Sequence, residues 1–260
     1  MATYVVSDMH GQYDTFIKGL ETIGFSDSDS LYVIGDAIDR GDDGIKILNH
    51  IKSCHNMDLI IGNHEFMMLN SVSSDGTLFN GEDLELWLFH NGGRTTKKQF
   101  EELKDEERKE LIEWLSSRYV IKTIEVNEQK FCLTHSFFLP ECENKKYSEL
   151  QYQQVWAVVW KSRFRDGGTY DYGFYDEYPN YMFVTGHVPV QIAFHVGINE
   201  LNGKNGLTWL KGGNSNSNLI NIDGGCAKGT GEDVGMIFLR LDDMKLFCQA
   251  LELASSVNGG

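Results

Sequence analysis

Three short apolar runs near the start of the chain are each followed at once by a cluster of polar residues. The runs cover residues 4–6, 31–34 and 59–61, and they are short and rich in Val, Ile, Leu or Tyr, which is typical of buried strands. Apolar residues at helical spacing lie between them, at 16–23 and at 45–51. The order strand, helix, strand, helix, strand predicts parallel strands joined by right-handed crossovers.

The polar clusters that follow these strands are expected to meet at one edge of a sheet. In an open α/β sheet, the carboxyl ends of neighbouring parallel strands border a common crevice. The cluster residues are Asp8 and His10, then Asp36, Asp39 and Arg40, and then Asn63, His64 and Glu65. Because Asp8 and His10 are two residues apart, both side chains can point the same way from a strand end.

The residue types in these clusters favour a metal site. Asp, Asn and His offer hard or borderline oxygen and nitrogen donors, and no cysteine lies among them. Such donors suit Mn²⁺, iron, Zn²⁺ or Mg²⁺ rather than a metal held by thiolates. Glycines at 11, 35, 41 and 62 permit tight turns and close approach of the backbone. A single Asp or Asn after a strand is more often a turn residue, so the joint arrangement is what indicates ligation.

The second half of the chain predicts strands and loops, with a histidine close behind two of the strands. After helices at 81–90 and 104–117, residues 119–126 and 130–134 predict a hairpin around Asn127 and Glu128. Later strands are expected at 182–185, 192–195, 207–210, 219–222, 235–241 and 245–250, and this half is expected to be antiparallel. His135 and His187 follow two of these strands, which brings the donors to enough for two metals.

Taken in order, the motifs resemble a known enzyme family. Asp-x-His-Gly at 8–11, Gly-Asp-x-x-Asp-Arg-Gly at 35–41 and Gly-Asn-His-Glu at 62–65 are similar to motifs of the PPP-family metallophosphatases, which are calcineurin-like metallophosphoesterases. The resemblance continues to residues 222–225 and favours the bacterial and phage form, represented by the bacteriophage lambda protein phosphatase. It implies an α/β (α+β) fold: a metallophosphoesterase-type β-sandwich of two mixed sheets flanked by helices.

The resemblance also implies a set of metal ligands. They are Asp8, His10, Asp36, Asn63, His135 and His187, the first three for one ion, and Asp36 with the last three for the other. Asp36 would bridge two divalent ions, with manganese expected and iron, zinc or magnesium also compatible. The two ions would activate water for in-line attack on phosphorus.

Further roles implied by the resemblance fall to residues beside the ligands. His64 would protonate the leaving oxygen, and Asp39 would hold the His64 ring in the required tautomer. Arg40 would clamp the phosphate oxygens, a task that suits the planar fork of a guanidinium group.

A second phosphate-binding arginine is expected after Trp160. Similar phosphatases place it two residues after the tryptophan, whereas here the nearest arginine, Arg163, comes one residue later. We therefore expect Arg163 in this role, with Lys161 or Arg165 as alternatives.

The expected reaction is hydrolysis of phosphomonoesters by two metals, most simply as a serine/threonine protein phosphatase, either specific for these residues or of dual specificity. An alternative on the same scaffold is a symmetrical bis(5'-nucleosyl)-tetraphosphatase. Glu65 and the stretch 91–93 favour the phosphatase. A remote alternative is a binding scaffold without turnover, but such a protein would be expected to lose metal ligands or His64, and this chain keeps them.

The composition of the chain restricts the classes of molecule that can bind to it. A formal net charge of −15 repels nucleic acid and anionic lipid, but it is compatible with a phosphorylated protein or peptide that meets bound cations. The chain contains no apolar run of about 18 residues and no CxxC pair among its 5 cysteines, so a cytoplasmic protein is expected. We expect one catalytic domain over residues 1–260 and a monomer. The aromatic segment 170–181 is either a cover over the crevice or local packing.

Overall fold

The computed structural model describes residues 1–162, 177–192, 199–202, 208–211, 218–229 and 234–251. The helices are α1 (Tyr13–Ile23), α2 (Gly44–Ser53), α3 (Asn63–Leu69), α4 (Glu82–Glu85), α5 (Arg94–Glu102), α6 (Asp105–Ser116) and α7 (Tyr152–Trp160). The strands are β1 (Thr3–Val6), β2 (Ser30–Ile34), β3 (Met57–Ile60), β4 (Ile121–Val126), β5 (Gln129–Thr134), β6 (Tyr181–Thr185), β7 (Asn199–Asn202), β8 (Thr208–Lys211), β9 (Leu219–Asn221), β10 (Gly235–Arg240) and β11 (Lys245–Ala250). No helix among these residues is both long and apolar enough to cross a bilayer.

The first sheet contains the predicted parallel strands. Its strand order is β11-β10-β1-β2-β3, and β1 pairs with β2, and β2 with β3, in parallel. Val6 lies beside Val33, and Val33 beside Leu59, so the carboxyl ends of these strands are level. The predicted βαβ arrangement at the start of the chain is confirmed.

The second sheet corrects the expectation of an antiparallel second half. Its order is β4-β5-β6-β9-β8-β7, and its three neighbouring strands β5, β6 and β9 are parallel to one another. The hairpin β4–β5 around Asn127 and Glu128 is confirmed, and both turn residues have positive φ. The prediction extended this local pattern too far, because β5 and β6 are joined by a long connection containing α7, which allows β6 to run parallel.

The two sheets pack face to face, and their helices cover the outer faces. Val5, Ile34 and Ile60 of the first sheet belong to one buried cluster with residues of β5, β6 and β9. A larger apolar cluster includes side chains of α1, α2, α3, α6 and α7. The expected sandwich of two mixed sheets flanked by helices is confirmed. Because both sheets are parallel near their centres, the carboxyl ends of six strands provide the loops that form the site.

The helix predicted at 81–90 consists of two parts. α4 is followed by a π-helix over Leu86–His90, which places Trp87 in the interior at 0% exposure. A widened helical turn of this kind occurs frequently at functional sites.

Two later predictions fall partly outside the described residues. Of the strand expected at 192–195, Ile192 lies in a turn and the rest is not described. Of the aromatic segment 170–181, Tyr178 and Tyr181 pack on Phe138, with ring centroids 5.1 and 6.2 Å away, which supports local packing for this end. β7 was not predicted.

Candidate active site

Polar side chains follow the carboxyl ends of six strands and meet at one end of the sandwich. Asp8 and His10 follow β1, Asp36 and Asp39 follow β2, and Asn63 and His64 begin α3 after β3; His135 follows β5, His187 follows β6, and Asp223 follows β9. The local geometry differs from the prediction, because β1 ends at Val6 and both Asp8 and His10 lie in the turn beyond it. Their convergence comes from the turn rather than from strand alternation.

Left-handed backbone is concentrated at this site. Among the described residues, ten non-glycine residues have positive φ, and six of them are Asp8, His10, Asp36, Asp39, Arg40 and His187. A residue held in this region costs on the order of 1–3 kcal/mol and persists when the surrounding structure overdetermines it. The fold therefore maintains unfavourable backbone conformations at these residues, and these conformations direct their side chains towards the site.

One group of donors is built around Asp36 and Asn63. The Nε2 atom of His135 lies 2.8 Å from Asn63 Oδ1 and 3.4 Å from Asp36 Oδ1. The Nδ1 atom of His187 lies 2.9 Å from the same Asn63 oxygen. The ligand atoms of Asp36, His135 and His187 all lie within 4.8 Å of one another, so one cation could contact all of them. These are the residues expected for the second ion.

A second group shares Asp36. The Nε2 atoms of His10 and His64 lie 3.8 and 3.7 Å from Asp36 Oδ2. Asp8 lies beside this group, and its carboxylate accepts hydrogen bonds from the main-chain N–H of His187, at 3.1 and 3.0 Å, and from the Ser7 hydroxyl. Asp36 thus belongs to both groups, as a bridging ligand would.

The backbone selects which nitrogen of two histidines faces the centre. The Nδ1 atom of His10 lies 3.2 Å from the carbonyl oxygen of Ile38, and that of His135 lies 2.9 Å from the carbonyl oxygen of Ile34. A carbonyl oxygen only accepts hydrogen bonds, so Nδ1 carries the proton in both rings. The Nε2 lone pair of each ring is then available to a metal, an arrangement that is usual for metal-binding histidines.

The charge pattern of the site fits two cations. Burial, with the nearby Asp223 carboxylate, raises the pKa of Asp8 well above its usual value, and burial, with Asp8 and Glu65, does the same for Asp36. Burial also raises the pKa of Asp223 to about 7. Carboxylates crowded together in the interior are unfavourable unless a positive charge compensates them. Divalent ions between the two donor groups would supply that charge.

Glu65 holds the two central loops together. Its Oε2 accepts hydrogen bonds from the main-chain N–H groups of Asp36, at 2.9 Å, and Gly62, at 3.0 Å, and its Oε1 accepts one from Ala37 at 2.8 Å. The side chain is completely buried. A Cβ atom at Gly62 would overlap the Asp36 carboxylate, so only glycine permits this approach. Glu65 therefore positions Asp36 without itself facing the cleft.

His64 is held by a buried carboxylate and a tryptophan. The Nδ1 atom of His64 lies 2.6 Å from Asp39 Oδ2, and Trp87 Nε1 donates a hydrogen bond to the same oxygen at 2.7 Å. Burial raises the pKa of Asp39 to about 7, and burial followed by the charge of Arg40 lowers the pKa of His64 well below its usual value. The Nε2 atom of His64 is thereby turned towards Asp36 and the cleft.

A cleft of about 310 Å³ opens over these donors. The polar residues that line it include Arg40 and Asn91, the apolar ones include Trp160 and Ile192, and the exposed Lys228 lines it as well. Arg40 therefore lies where the sequence predicts it. Arg163 and Arg165 lie outside the described residues, and Lys161, whose ammonium is 6.0 Å from the Phe137 ring centroid, is not among the lining residues.

Sequence reasoning assigned no role to three residues of this site. Trp87 lies within the helix predicted at 81–90 and, like Asp223, was otherwise noted only as part of the resemblance, and Lys228 was not singled out. Asp223 offered the same signal as the other donors, a carboxylate just after an apolar strand. The contact of Trp87 with Asp39 spans 48 residues of sequence, and no local pattern predicts it.

Comparison with known proteins identifies the family. A sequence profile described as "Calcineurin-like phosphoesterase" matches residues 1–224. The chain belongs to the calcineurin-like phosphoesterase family. The PPP-type subgroup suggested by the motifs is a finer assignment, and the profile does not test it.

Among curated relatives of this phosphoesterase are symmetrical bis(5'-nucleosyl)-tetraphosphatases. That of Dechloromonas aromatica (strain RCB) is 32% identical over 152 residues, 58% of this chain and 49% of the relative. That of Buchnera aphidicola subsp. Acyrthosiphon pisum (strain 5A) is 30% identical over 146 residues, 54% of this chain and 46% of the relative. The chain thus spans about half the length of the curated relatives that it matches.

Solved structures support the fold of this phosphoesterase. A putative diadenosine tetraphosphatase has a TM-score of 0.58 at 15% identity, over 95% of this chain and 91% of the other. A cold-active protein-tyrosine phosphatase of a psychrophilic Shewanella species has a TM-score of 0.55 at 16% identity, over 95% and 80%. At these identities the likeness concerns the fold alone.

Proposed function

We propose that this phosphoesterase hydrolyses small dinucleoside polyphosphates, and that symmetrical cleavage of dinucleoside tetraphosphates is its principal reaction. The observation that carries the chemistry is the shared position of Asp36 between two donor groups, next to the buried pair of His64 and Asp39. The substrate class is supported by the curated relatives, which are named for this reaction. The comparisons thus favour the tetraphosphatase alternative over the protein phosphatase. We also propose that residues 1–260 form one catalytic domain.

The proposed mechanism assigns binding to the donors that converge on Asp36. The residues would hold the ions as predicted: Asp8, His10 and Asp36 for one, and Asp36, Asn63, His135 and His187 for the other. When bound, two divalent ions, with manganese as the first candidate, supply charge neutralisation and activate water for attack on phosphorus. The left-handed turns hold the donors in place before the substrate arrives, which limits reorganisation in the transition state.

Two further residues would act on the substrate itself. Arg40 lines the cleft beside the donors, where its guanidinium can contact two phosphate oxygens at once. His64 would donate a proton from Nε2 to the leaving oxygen, while Asp39 accepts a hydrogen bond from Nδ1–H and stabilises the charged ring. Trp87 fixes the Asp39 carboxylate through its own hydrogen bond.

The shape of the cleft agrees with a nucleotide substrate. Its wall contains donors and Arg40 and also the apolar side chains of Trp160, Pro189 and Ile192. The Trp160 ring stands edge-on to the His187 ring, with centroids 5.9 Å apart, so its indole borders the metal donors directly. A flat base can pack against such a wall while its phosphates reach the metal donors.

A serine/threonine protein phosphatase is the second candidate, and the pair of His64 and Asp39 favours it. An alkoxide leaving from a phosphoserine is strongly basic and needs a proton from the enzyme, whereas a nucleoside diphosphate is a less basic leaving group and depends less on that proton. Hydrolysis of phosphoserine therefore requires a general acid. His64, whose Nδ1 atom lies 2.6 Å from Asp39 Oδ2, is suited to that role. The binding-scaffold alternative is disfavoured, because four predicted donors, His10, Asp36, Asn63 and His187, line the cleft, and the other two, His135 and Asp8, contact Asn63 and His187.

The deciding experiment offers two substrates in parallel to the manganese-loaded protein. Diadenosine tetraphosphate would be followed by release of ADP, and a phosphoserine/phosphothreonine peptide library by release of phosphate. Symmetrical cleavage with a higher kcat/KM than any peptide would support the proposal. Efficient release from peptides with little dinucleotide cleavage would contradict it and favour the second candidate.

A further inference from the structure

Lys228 lies at the edge of the cleft and has no part in the mechanism described above. It ends a single turn of 3₁₀ helix, Cys226–Lys228, which begins directly after the loop that follows β9. The residue is exposed and lines the cleft together with Asp223 and Ala227. Of the described residues that line the cleft, Arg40 and Lys228 are the two with a permanent positive charge.

The backbone under Lys228 is firmly anchored. The N–H of Gly225 donates to Asp223 Oδ1 at 2.8 Å, and the N–H of Lys228 donates to the carbonyl oxygen of Gly225 at 2.9 Å. Gln191 Nε2 donates to the carbonyl oxygen of Gly224 at 3.0 Å, which ties this turn to the loop after β6. The lysine stem therefore leaves from a fixed point, and only its own rotamers remain to be ordered on binding.

Arg40 and Lys228 line the same cleft as the buried Asp223 carboxyl group. The charges of Arg40 and Lys228 both oppose the rise that burial causes in the pKa of Asp223. In the part of the chain that the structure describes, Lys228 makes no ion pair with a carboxylate. Its ammonium is therefore available in the cleft that is also lined by Arg40, whose guanidinium would clamp the reacting phosphate.

We propose that Lys228 forms a subsite for a second phosphate group, adjacent to the one at the metal donors, so that the cleft prefers phosphoanhydrides to monoesters. The inference rests on the proposed function and specifies how the substrate class would be selected. A lysine ammonium is a compact charge on a flexible stem, which suits a phosphate whose position varies along a chain.

The charge balance of the substrate explains why a second cation is needed. A single phosphate group would be neutralised by the bound ions and Arg40, and would leave Lys228 without a partner. A neighbouring phosphate extends negative charge beyond the metal donors, on a chain whose net charge of −15 repels it. A cation at the cleft edge offsets this repulsion at the point where the second phosphate emerges.

Inhibition of p-nitrophenyl phosphate hydrolysis by ADP and by AMP tests this subsite. The two nucleotides share the base, the ribose and one phosphate, and differ in the second phosphate. Lys228→Gln should raise the Ki of ADP roughly 10-fold, as loss of one charge-assisted contact predicts, and that of AMP less than about 2-fold. Lys228→Arg should retain most of the preference. Calorimetric titration of the manganese-loaded protein with each nucleotide provides a readout independent of turnover.

Lys98→Gln is the matched control, because it removes the same charge from an exposed residue of α5 outside the cleft. It should leave both inhibition constants unchanged. An equal change for ADP and AMP in Lys228→Gln, or no change in either, would overturn the subsite. Failure of the wild type to cleave diadenosine tetraphosphate, with the ADP preference intact and dependent on Lys228, would overturn the proposed function and leave the subsite standing.

Discussion

Replacement of His64 by Asn tests the assignment of the general acid most directly. The Asn amide nitrogen can take the place of Nδ1 and keep a hydrogen bond to Asp39, which lies 2.6 Å from the ring in the wild type. The main-chain N–H of residue 64, which donates to Asp36 Oδ1 at 3.1 Å, is unchanged. The variant therefore lacks the ring Nε2 that faces the cleft and retains the surrounding contacts.

The expected loss follows from the environment of the ring. General acid catalysis contributes roughly 10²–10⁴-fold, or about 3–5 kcal/mol of transition-state stabilisation. Burial and the charge of Arg40 lower the pKa of His64, which disfavours the protonated ring that a general acid needs. We therefore expect a fall in kcat near the lower end, roughly 10²-fold, for alkyl phosphates. Substrates with good leaving groups, such as p-nitrophenyl phosphate, should lose much less.

The assay compares kcat on phosphoserine peptide and p-nitrophenyl phosphate, with metal content measured in the same preparations. His55→Asn, at an exposed position outside the site, is the control and should match the wild type. Equal activity of His64→Asn and wild type on phosphoserine would refute the reasoning. Loss of one metal ion in the variant would instead identify His64 as a ligand. The metal content is measured for this reason, because His64 lies close to His10 and Asp36.

Three further predictions concern the support of the site. Glu65→Gln should lower the free energy of unfolding by about 3 kcal/mol, because an amide NH₂ would face a buried main-chain N–H. Urea unfolding measures this change, with the exposed Glu102→Gln as the control. A loss of stability no larger than that of the control would contradict the prediction. Gly186→Ala should weaken manganese binding, since the new methyl group would overlap the Asp8 carboxylate. Gly81→Ala is the control, because open space surrounds Gly81, and it should leave the affinity unchanged. Equal manganese affinities of the two variants by calorimetry would disprove a role of Asp8 in binding. Asp223→Asn should change the pH dependence of the metal-free protein. Burial raises the pKa of this carboxyl from 3.8 to about 7, so the folded wild type binds an extra proton between these values and loses stability as the pH rises through them. The stability of the variant relative to wild type should therefore increase from pH 5 to pH 7, by at most about 1.4 kcal/mol per pH unit, and a flat difference in urea titrations would exclude it.

Much of this site was predictable because its donors occur in a local pattern. Each of β1, β2 and β3 is a short apolar run with its polar residues directly behind it, and parallel strands bring such residues together whatever else the chain does. The same rule applied to His135 and His187, and it would have applied to Asp223. Residue type and position after a strand were sufficient to predict a metal centre.

Other features depend on contacts between distant segments. Whether β5, β6 and β9 run parallel depends on how the connections cross the sheet, and the residues within each strand do not specify it. The bonds from Trp87 to Asp39 and from Glu65 to the Asp36 loop require burial of polar groups, which becomes favourable only when the partner is already in place.

The sequence by itself therefore determined the chemistry of the donors and the edge of the sheet on which they meet. Only the tertiary structure determined the orientation of the donor side chains, through left-handed backbone conformations at Asp8, His10 and Asp36 that isolated peptide segments would avoid. It also decided that Arg40 and Lys228 line the same cleft. The physical reason is that strand and helix patterns arise from neighbouring residues, whereas strain and buried charge are tolerated only when the whole fold compensates for them.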